Sequence, residues 1–262
     1  MPSDHDIARQ VATDTGRLLV ELRQSAGIGD VGDRGDATAH RFIVGALADL
    51  RPGDAVLSEE GTADDGPYGR SRLGADRVWV VDPLDGTREY SEPGRTDWAV
   101  HVALVDGEGM PVAGAVALPA EGVTLSTAEP PVLPPERDGP PRLVVSRSRP
   151  PLEAAVVARR IGGQLLPLGS AGAKAMAVVR GDADIYLHTG GQYEWDSCAP
   201  VAVAAAAGLH VSRADGRSLV YNRPDPWLPD LLICRQRYAE VVVDTVLRMA
   251  GDIDLGPAFD PW

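Results

Sequence analysis

Two aspartates three positions apart, Asp82 and Asp85, stand in the run Val78-Trp79-Val80-Val81-Asp82-Pro83-Leu84-Asp85-Gly86-Thr87. Closely spaced carboxylates are hard oxygen donors, suited to Mg²⁺ or Mn²⁺ and not to the soft metals that thiolates hold. Pro83 restricts Asp82 to extended geometry and fixes its own φ, so a stiff turn displays both acids. Gly86 lets the backbone approach a ligand, and N–H groups opening a helical segment at Arg88-Glu89-Tyr90 attract an anion. Metal plus phosphate is the chemistry that uses every residue of the run. A capping turn would explain a lone Asp-Gly pair, but not six such residues behind an apolar strand.

Three further places could supply oxygen ligands or acid–base groups. Glu59 and Glu60 end the short strand Ala55-Val56-Leu57-Ser58, and would face Asp82 if the two strands were neighbours. Asp36 precedes an amphipathic segment, where its local reading is an N-cap. Asp196, in Glu194-Trp195-Asp196-Ser197-Cys198-Ala199-Pro200, opens an alanine-rich helix, and locally it too reads as a cap or first-turn acid.

The elements that must position these residues follow from periodicity. Ile7, Val11, Leu18, Leu19 and Leu22 recur at helical spacing. A Gly/Asp-rich turn over Gly27 to Asp36 leads to a second helix carrying Ala39, Phe42, Ile43, Ala46, Leu47 and Leu50. Strands are expected at 55–58, through the central run, and over 97–105, 112–118 and 122–126. Residues 129–141, with six prolines, read as a connection between a helix-plus-antiparallel-sheet half (1–128) and an α/β half (142–262). In the second half strands are expected at 143–145, 164–168, 184–187, 210–212 and 231–234. Helices are expected at 151–161, 171–179, 197–207 and 238–249. No internal repeat is found.

The 262 residues suffice for a large core, and 44% hydrophobic with 24% charged residues is the balance of a globular protein. A formal net charge of −13 argues against a nucleic-acid polymer or an anionic membrane surface as partner. Bound cations can still reverse the sign locally for a phosphate ester. Cys198 and Cys234 lack metal-ligand spacing and read as free thiols. The opening residues lack a basic and an apolar leader region, and no apolar run reaches membrane-spanning length, so a cytoplasmic location is expected.

Taken together, Asp82-Pro83-Leu84-Asp85-Gly86-Thr87, Ser58-Glu59-Glu60 and Trp195-Asp196-Ser197-Cys198-Ala199-Pro200 with Ala207-Gly208 resemble the motifs of the Mg²⁺-dependent, lithium-sensitive phosphatases of the inositol monophosphatase superfamily. The resemblance covers nearly the whole chain and implies a layered αβαβα fold of the α/β class. It implies that Glu59, Asp82 and the Leu84 carbonyl hold one metal, and that Asp82, Asp85 and Asp196 hold a second, with two or three Mg²⁺ per site and Mn²⁺ as the alternative. Asp36 would hydrogen-bond Thr87, and the pair would orient and deprotonate the attacking water. Gly86 and Thr87 would cradle the phosphate. Glu60 is left as an outer or merely solvated residue, and a homodimer is plausible by the same resemblance.

Three stretches lean toward the bisphosphate nucleotidase branch of the superfamily: Val144 to Arg149, Gly169 to Lys174, and the Trp195 motif. By that resemblance Ser146 and Arg149 lie near the second phosphate or the ribose, and Ser170 and Lys174 on the adenosine side. His188 falls where an arginine is often found, and Arg149 replaces a histidine. The expected substrate is a small phosphorylated nucleotide, 3′-phosphoadenosine 5′-phosphate. Inositol monophosphate and fructose 1,6-bisphosphate are the alternatives, and a non-catalytic phosphonucleotide sensor is the alternative of another class. Ala206-Ala207-Gly208-Leu209 stands where a glutamate of the inositol branch is expected, which argues against inositol phosphates.

Overall fold

In the computed structural model, which describes residues 2–25, 31–61 and 70–252, the first sheet has the order β1 (Ala55–Ser58), β2 (Arg77–Asp85), β3 (Ala99–Asp106), β4 (Pro111–Leu118), β5 (Val123–Ser126). β1 runs parallel to β2 and the remaining pairs are antiparallel. Strand β2 is apolar on both faces, which forces cover on both. Trp79 and Val81 pack with Ile7, Val11 and Leu19 of helix α1 (Asp4–Ser25) and Ala39, Ile43 and Leu47 of helix α2 (Val31–Leu50). Val78 and Val80 face the other way, into an apolar layer shared with the second half of the chain.

That shared layer is built by helices α5 (Ala171–Val179) and α6 (Glu194–Ala206), which touch strands of both sheets. The second sheet has the order β7 (Gln164–Leu168), β6 (Arg142–Ser146), β8 (Ile185–Tyr193), β10 (Trp227–Cys234), β9 (His210–Ser212). Its far face is covered by α4 (Leu152–Ile161) and α7 (Gln236–Asp252), with Leu143, Val145, Val157, Ile185 and Leu232 between them. The stack is helix, sheet, helix, sheet, helix, as expected. No helix among the described residues is long and apolar enough to cross a membrane.

Several boundaries differ from the sequence reading, each for a local reason. Residues 31–36, expected in a turn, are the first turns of α2, so Asp36 lies inside the helix and caps nothing; the expected turn at 27–30 lies outside the described residues. Pro83 does not end β2: it falls where the β2–β3 register shifts between Asp82 and Asp85, a point at which its missing N–H costs no ladder bond. β8 and β10 extend well past the expected 184–187 and 231–234, because Gly190, Gly191 and Pro229 lie around an irregularity of the pair and do not break it. Helix α6 begins at Glu194, three residues before the expected start.

Close approach of α6 to the first sheet depends on Gly114 in β4, where an added Cβ would lie 2.7 Å from Ala202 Cβ and 3.4 Å from the Ala199 carbonyl oxygen. Gly114→Val should therefore destabilise the protein by about 1–3 kcal/mol through overpacking. Urea unfolding would measure it, and an unchanged midpoint would show that α6 does not need the contact.

Candidate active site

The site begins with one carboxylate gripped from the other half of the chain. Asp85, at the end of β2, accepts hydrogen bonds from Ser170 Oγ at 2.5 Å, the Ala171 N–H at 3.1 Å and the Gly172 N–H at 2.6 Å. These donors form the N-terminus of α5, where unsatisfied N–H groups favour an anion. His101 on β3 completes the grip: its Nε2 lies 3.1 Å from Asp85 Oδ2 while Nδ1 is 3.0 Å from the Trp195 carbonyl oxygen. With acceptors at both nitrogens the ring favours its doubly protonated form. Burial alone would expel that proton, but Asp85 and the Trp195 carbonyl outweigh burial and raise the His101 pKa. Burial likewise opposes charge on Asp85, yet His101, Ser170 and Gly172 hold it down to about 2. Two hydrogen bonds and the His101 ring, at ion-pair distance, converge on Oδ2, and Oδ1 takes only the Ala171 N–H, leaving a lone pair for a cation.

Around Asp85 the remaining acids are crowded. Asp82, 1% exposed, turns Oδ1 back to the Leu84 N–H at 3.1 Å, and the Glu59 carboxyl reaches its other side from the end of β1. Asp196, in the first turn of α6, takes the Tyr193 N–H at 2.6 Å on one oxygen. Asp82, Asp85 and Asp196 each offer an oxygen within 4.8 Å of the others. Desolvation, then mutual repulsion, raises Asp82 far above the carboxylate range, Asp196 to about 6 and Glu59 to about 8, although Glu59 keeps an exposed outer edge. Carboxyls this close cannot all ionise unaided. An all-oxygen set of this kind fits hard divalent cations, whose charge would relieve the same repulsion.

Asp36 reaches the cluster from α2. Thr87 donates to Asp36 Oδ2 at 2.8 Å and lies 3.1 Å from the Leu84 carbonyl oxygen, while Asp36 Oδ1 is buried with no partner. Desolvation dominates here too and raises Asp36 to about 7, against the Thr87 bond that favours its charge. Glu60 is exposed and makes no hydrogen bond among the described residues; its charge is one of those acting on Asp36.

A cavity of about 420 Å³ opens beside the acids, lined by Asp85, Gly86, Asp196 and by the expected Ser146, Arg149, Ser170, Lys174 and His188. Asp36, Glu59, Asp82 and Thr87 stand outside that lining. Three of the expected contacts are already engaged. Ser170 Oγ donates to Asp85 and accepts from the Ala173 N–H, capping α5. Lys174 is 4% exposed, its ammonium donating to the Gly169 and Ser170 carbonyls, with Nζ 5.4 Å from the centre of the Tyr186 ring. It is no solvated surface charge, and burial lowers its pKa. His188 gives Nε2 to the Gly191 carbonyl at 2.9 Å, and burial lowers its pKa as well.

Ala206 and Ala207 end α6, the helix whose first turn carries Asp196, so by helical rise they lie ~15 Å away and outside the cavity. The absence of a glutamate there has no bearing on the leaving group. Sequence reasoning also missed His101, Arg147, Gln192 and Trp227. Arg147 ties the halves together, bonding Glu89 Oε1 at 2.5 Å and Glu92 Oε1 at 2.7 Å. His101 carried one signal, a titratable ring inside an otherwise apolar strand.

Fold and acid cluster together define a metal-dependent phosphatase of layered αβαβα architecture. The sequence profile of the inositol monophosphatase family matches residues 6–130 and 143–246, and the chain belongs to that family. It is 45% identical over 258 residues to the 3′-phosphoadenosine 5′-phosphate phosphatase of Mycobacterium leprae (strain TN), covering 93% of each chain. It is 36% identical over 204 residues to the 3′(2′),5′-bisphosphate nucleotidase CysQ of Escherichia coli (strain K12), covering 74% of this chain and 80% of that one. The crystal structure of CysQ from Bacteroides thetaiotaomicron superimposes with a TM-score of 0.77 at 26% identity, over 89% of this chain and 97% of that one.

The crowded acids set a pH dependence for cation binding. Asp196, Asp36 and Glu59, raised to about 6, 7 and 8, hold protons when folded that the unfolded chain has already lost above about pH 4. Their contribution to stability therefore falls as pH rises from about 4 to 8. Asp85, held down to about 2, adds stability that is lost only in stronger acid. In chelator the melting temperature should drop between pH 5 and pH 8, and millimolar Mg²⁺ should raise it more at pH 8. An Mg²⁺ shift of equal size at both values would remove the assignment.

Proposed function

We propose that the protein is a Mg²⁺-dependent phosphomonoesterase that removes the 3′-phosphate of 3′-phosphoadenosine 5′-phosphate. The observation that carries the reading is one cavity lined both by the acids Asp85 and Asp196 and by Arg88 and Arg149. Such a cavity suits a molecule with two phosphates: one placed at cation-bearing carboxylates, the other at guanidinium groups. Its volume of about 420 Å³ is of small-molecule size. The names and identities of the relatives support the same substrate. Buried free thiols at Cys198 and Cys234 accord with a cytoplasmic setting.

Glu59, Asp82, Asp85, Asp196 and the Leu84 carbonyl would hold the cations. Bound there, divalent cations supply neutralisation of the phosphoryl oxygens and a lowered pKa for the attacking water. The chain does the rest. Asp36 holds the Thr87 hydroxyl by its proton, so that Thr87 Oγ turns a lone pair to a water proton. Asp36 can take up the Thr87 proton as Thr87 receives one from water. The α3 helix (Thr87–Ser91) opens at Gly86 with φ 89°, and the N–H groups of Gly86 and Arg88, which line the cavity, would serve a phosphate oxygen. The complete acid set argues against an idle sensor, which has no use for it.

A substrate panel read by phosphate release tests the reading: kcat/KM should be highest for 3′-phosphoadenosine 5′-phosphate. Faster hydrolysis of inositol 1-phosphate or fructose 1,6-bisphosphate would replace it. Asp85→Asn and Asp196→Asn should each lower kcat by two orders of magnitude or more, since even outer partners of metal sites cost roughly 10- to 100-fold. Near-normal turnover in either would sink the two-metal assignment.

A further inference from the structure

With Ser170, Lys174 and His188 committed to protein partners, the cavity needs other groups to recognise the organic part of its ligand. The β8–β10 pair provides them. Trp227, the first residue of β10, is 45% exposed and lines the cavity. Its indole is seated over Gly191, where an added Cβ would fall 2.7 Å from Nε1. Gly191 has φ 78°, and the β8–β10 register shifts nearby, so the strand gives up regularity at the point where the ring is placed. Beside Gly191, Gln192 also lines the cavity; it is 9% exposed, and its amide nitrogen is buried with no hydrogen-bond partner. A buried amide donor without a partner is costly, and unusual enough to require an explanation.

We propose that Trp227 and Gln192 form a nucleobase subsite, with the base stacked on the indole of Trp227 and an adenine edge read by the Gln192 amide. This rests on the functional reading above and deepens it. An aromatic face accepts any base, because every base has a π-face. The glutamine amide carries a donor and an acceptor side by side, which matches adenine N7 and its N6 amino group. Guanine presents two acceptors, O6 and N7, and leaves the amide oxygen unpaired. Stacking therefore supplies affinity for nucleotides in general, and Gln192 supplies the preference for adenine.

Steady-state kinetics of the Mg²⁺-loaded enzyme on adenosine and guanosine 3′,5′-bisphosphate test both roles. Trp227→Ala should raise KM for both nucleotides about tenfold with kcat within about twofold, in line with measured base-stacking losses. Inhibition by inorganic phosphate should be unchanged in that variant, and Trp227→Phe should restore most of the affinity. Gln192→Ala should raise KM for the adenosine compound alone and erase the preference over guanosine. An unchanged KM in Trp227→Ala, or a parallel rise in the phosphate inhibition constant, overturns the stacking role; an unchanged adenosine-to-guanosine ratio in Gln192→Ala overturns the edge reading. Calorimetric binding of adenosine 5′-phosphate separates the subsite from the reaction. If the wild-type protein binds it and Trp227→Ala binds about tenfold more weakly, the subsite stands even where no bisphosphate is hydrolysed. Equal binding, or none to the wild type, overturns it.

Discussion

The grip of the α5 N-terminus on the Asp85 carboxylate is the interaction on which the site depends. Asp85 belongs to the first sheet, and its donors Ser170, Ala171 and Gly172 follow 85 or more residues later. Gly172 has to be glycine, since a Cβ there would collide with the His101 ring. The same junction is reinforced beside it: Asp97 accepts the Gly169 N–H at 2.6 Å, and Arg147 bonds Glu89 and Glu92. A carboxylate satisfied in this way does not swing, and it fixes where Asp82 and Asp196 must meet it.

Around that fixed point the electrostatics are arranged with two opposite signs. Asp85 is kept charged by donors, whereas Asp82, Asp196, Glu59 and Asp36 are driven toward protonation by burial and by one another. Such a set is unfavourable in isolation and favourable once positive charge enters. That explains how a chain of net charge −13 can serve an anionic ester. The protein's own cations also line the cavity: Arg88, which pairs with Glu92 outside the acid cluster, and Arg149.

Much of this was legible in the sequence, and the rest was hidden for identifiable reasons. That Asp82, Asp85 and Asp196 come together could be read because carboxylates at rigid places near one another leave motifs. Most elements followed from periodicity, and the five-layer stack from the resemblance. Pro83, Gly190, Gly191 and Pro229 were misleading, since the usual breakers of regular structure here sit at strand irregularities and do not end the strands. Asp36 looked like a cap because α2 starts five residues earlier than its apolar period suggests. Trp227 and Gln192 carried no motif. Their meaning arises only when β8 and β10 pair, and no local pattern encodes that.

The Asp85 grip has a consequence for how the molecule comes into being. Because the donors that shape the site are encoded long after the acid they hold, a chain emerging from the ribosome carries Asp85 before it has the means to fix it. The first sheet and its two covering helices can be complete while Asp85 still lacks Ser170, Ala171 and Gly172. The site is thus complete only once α5 and α6 have joined the first sheet.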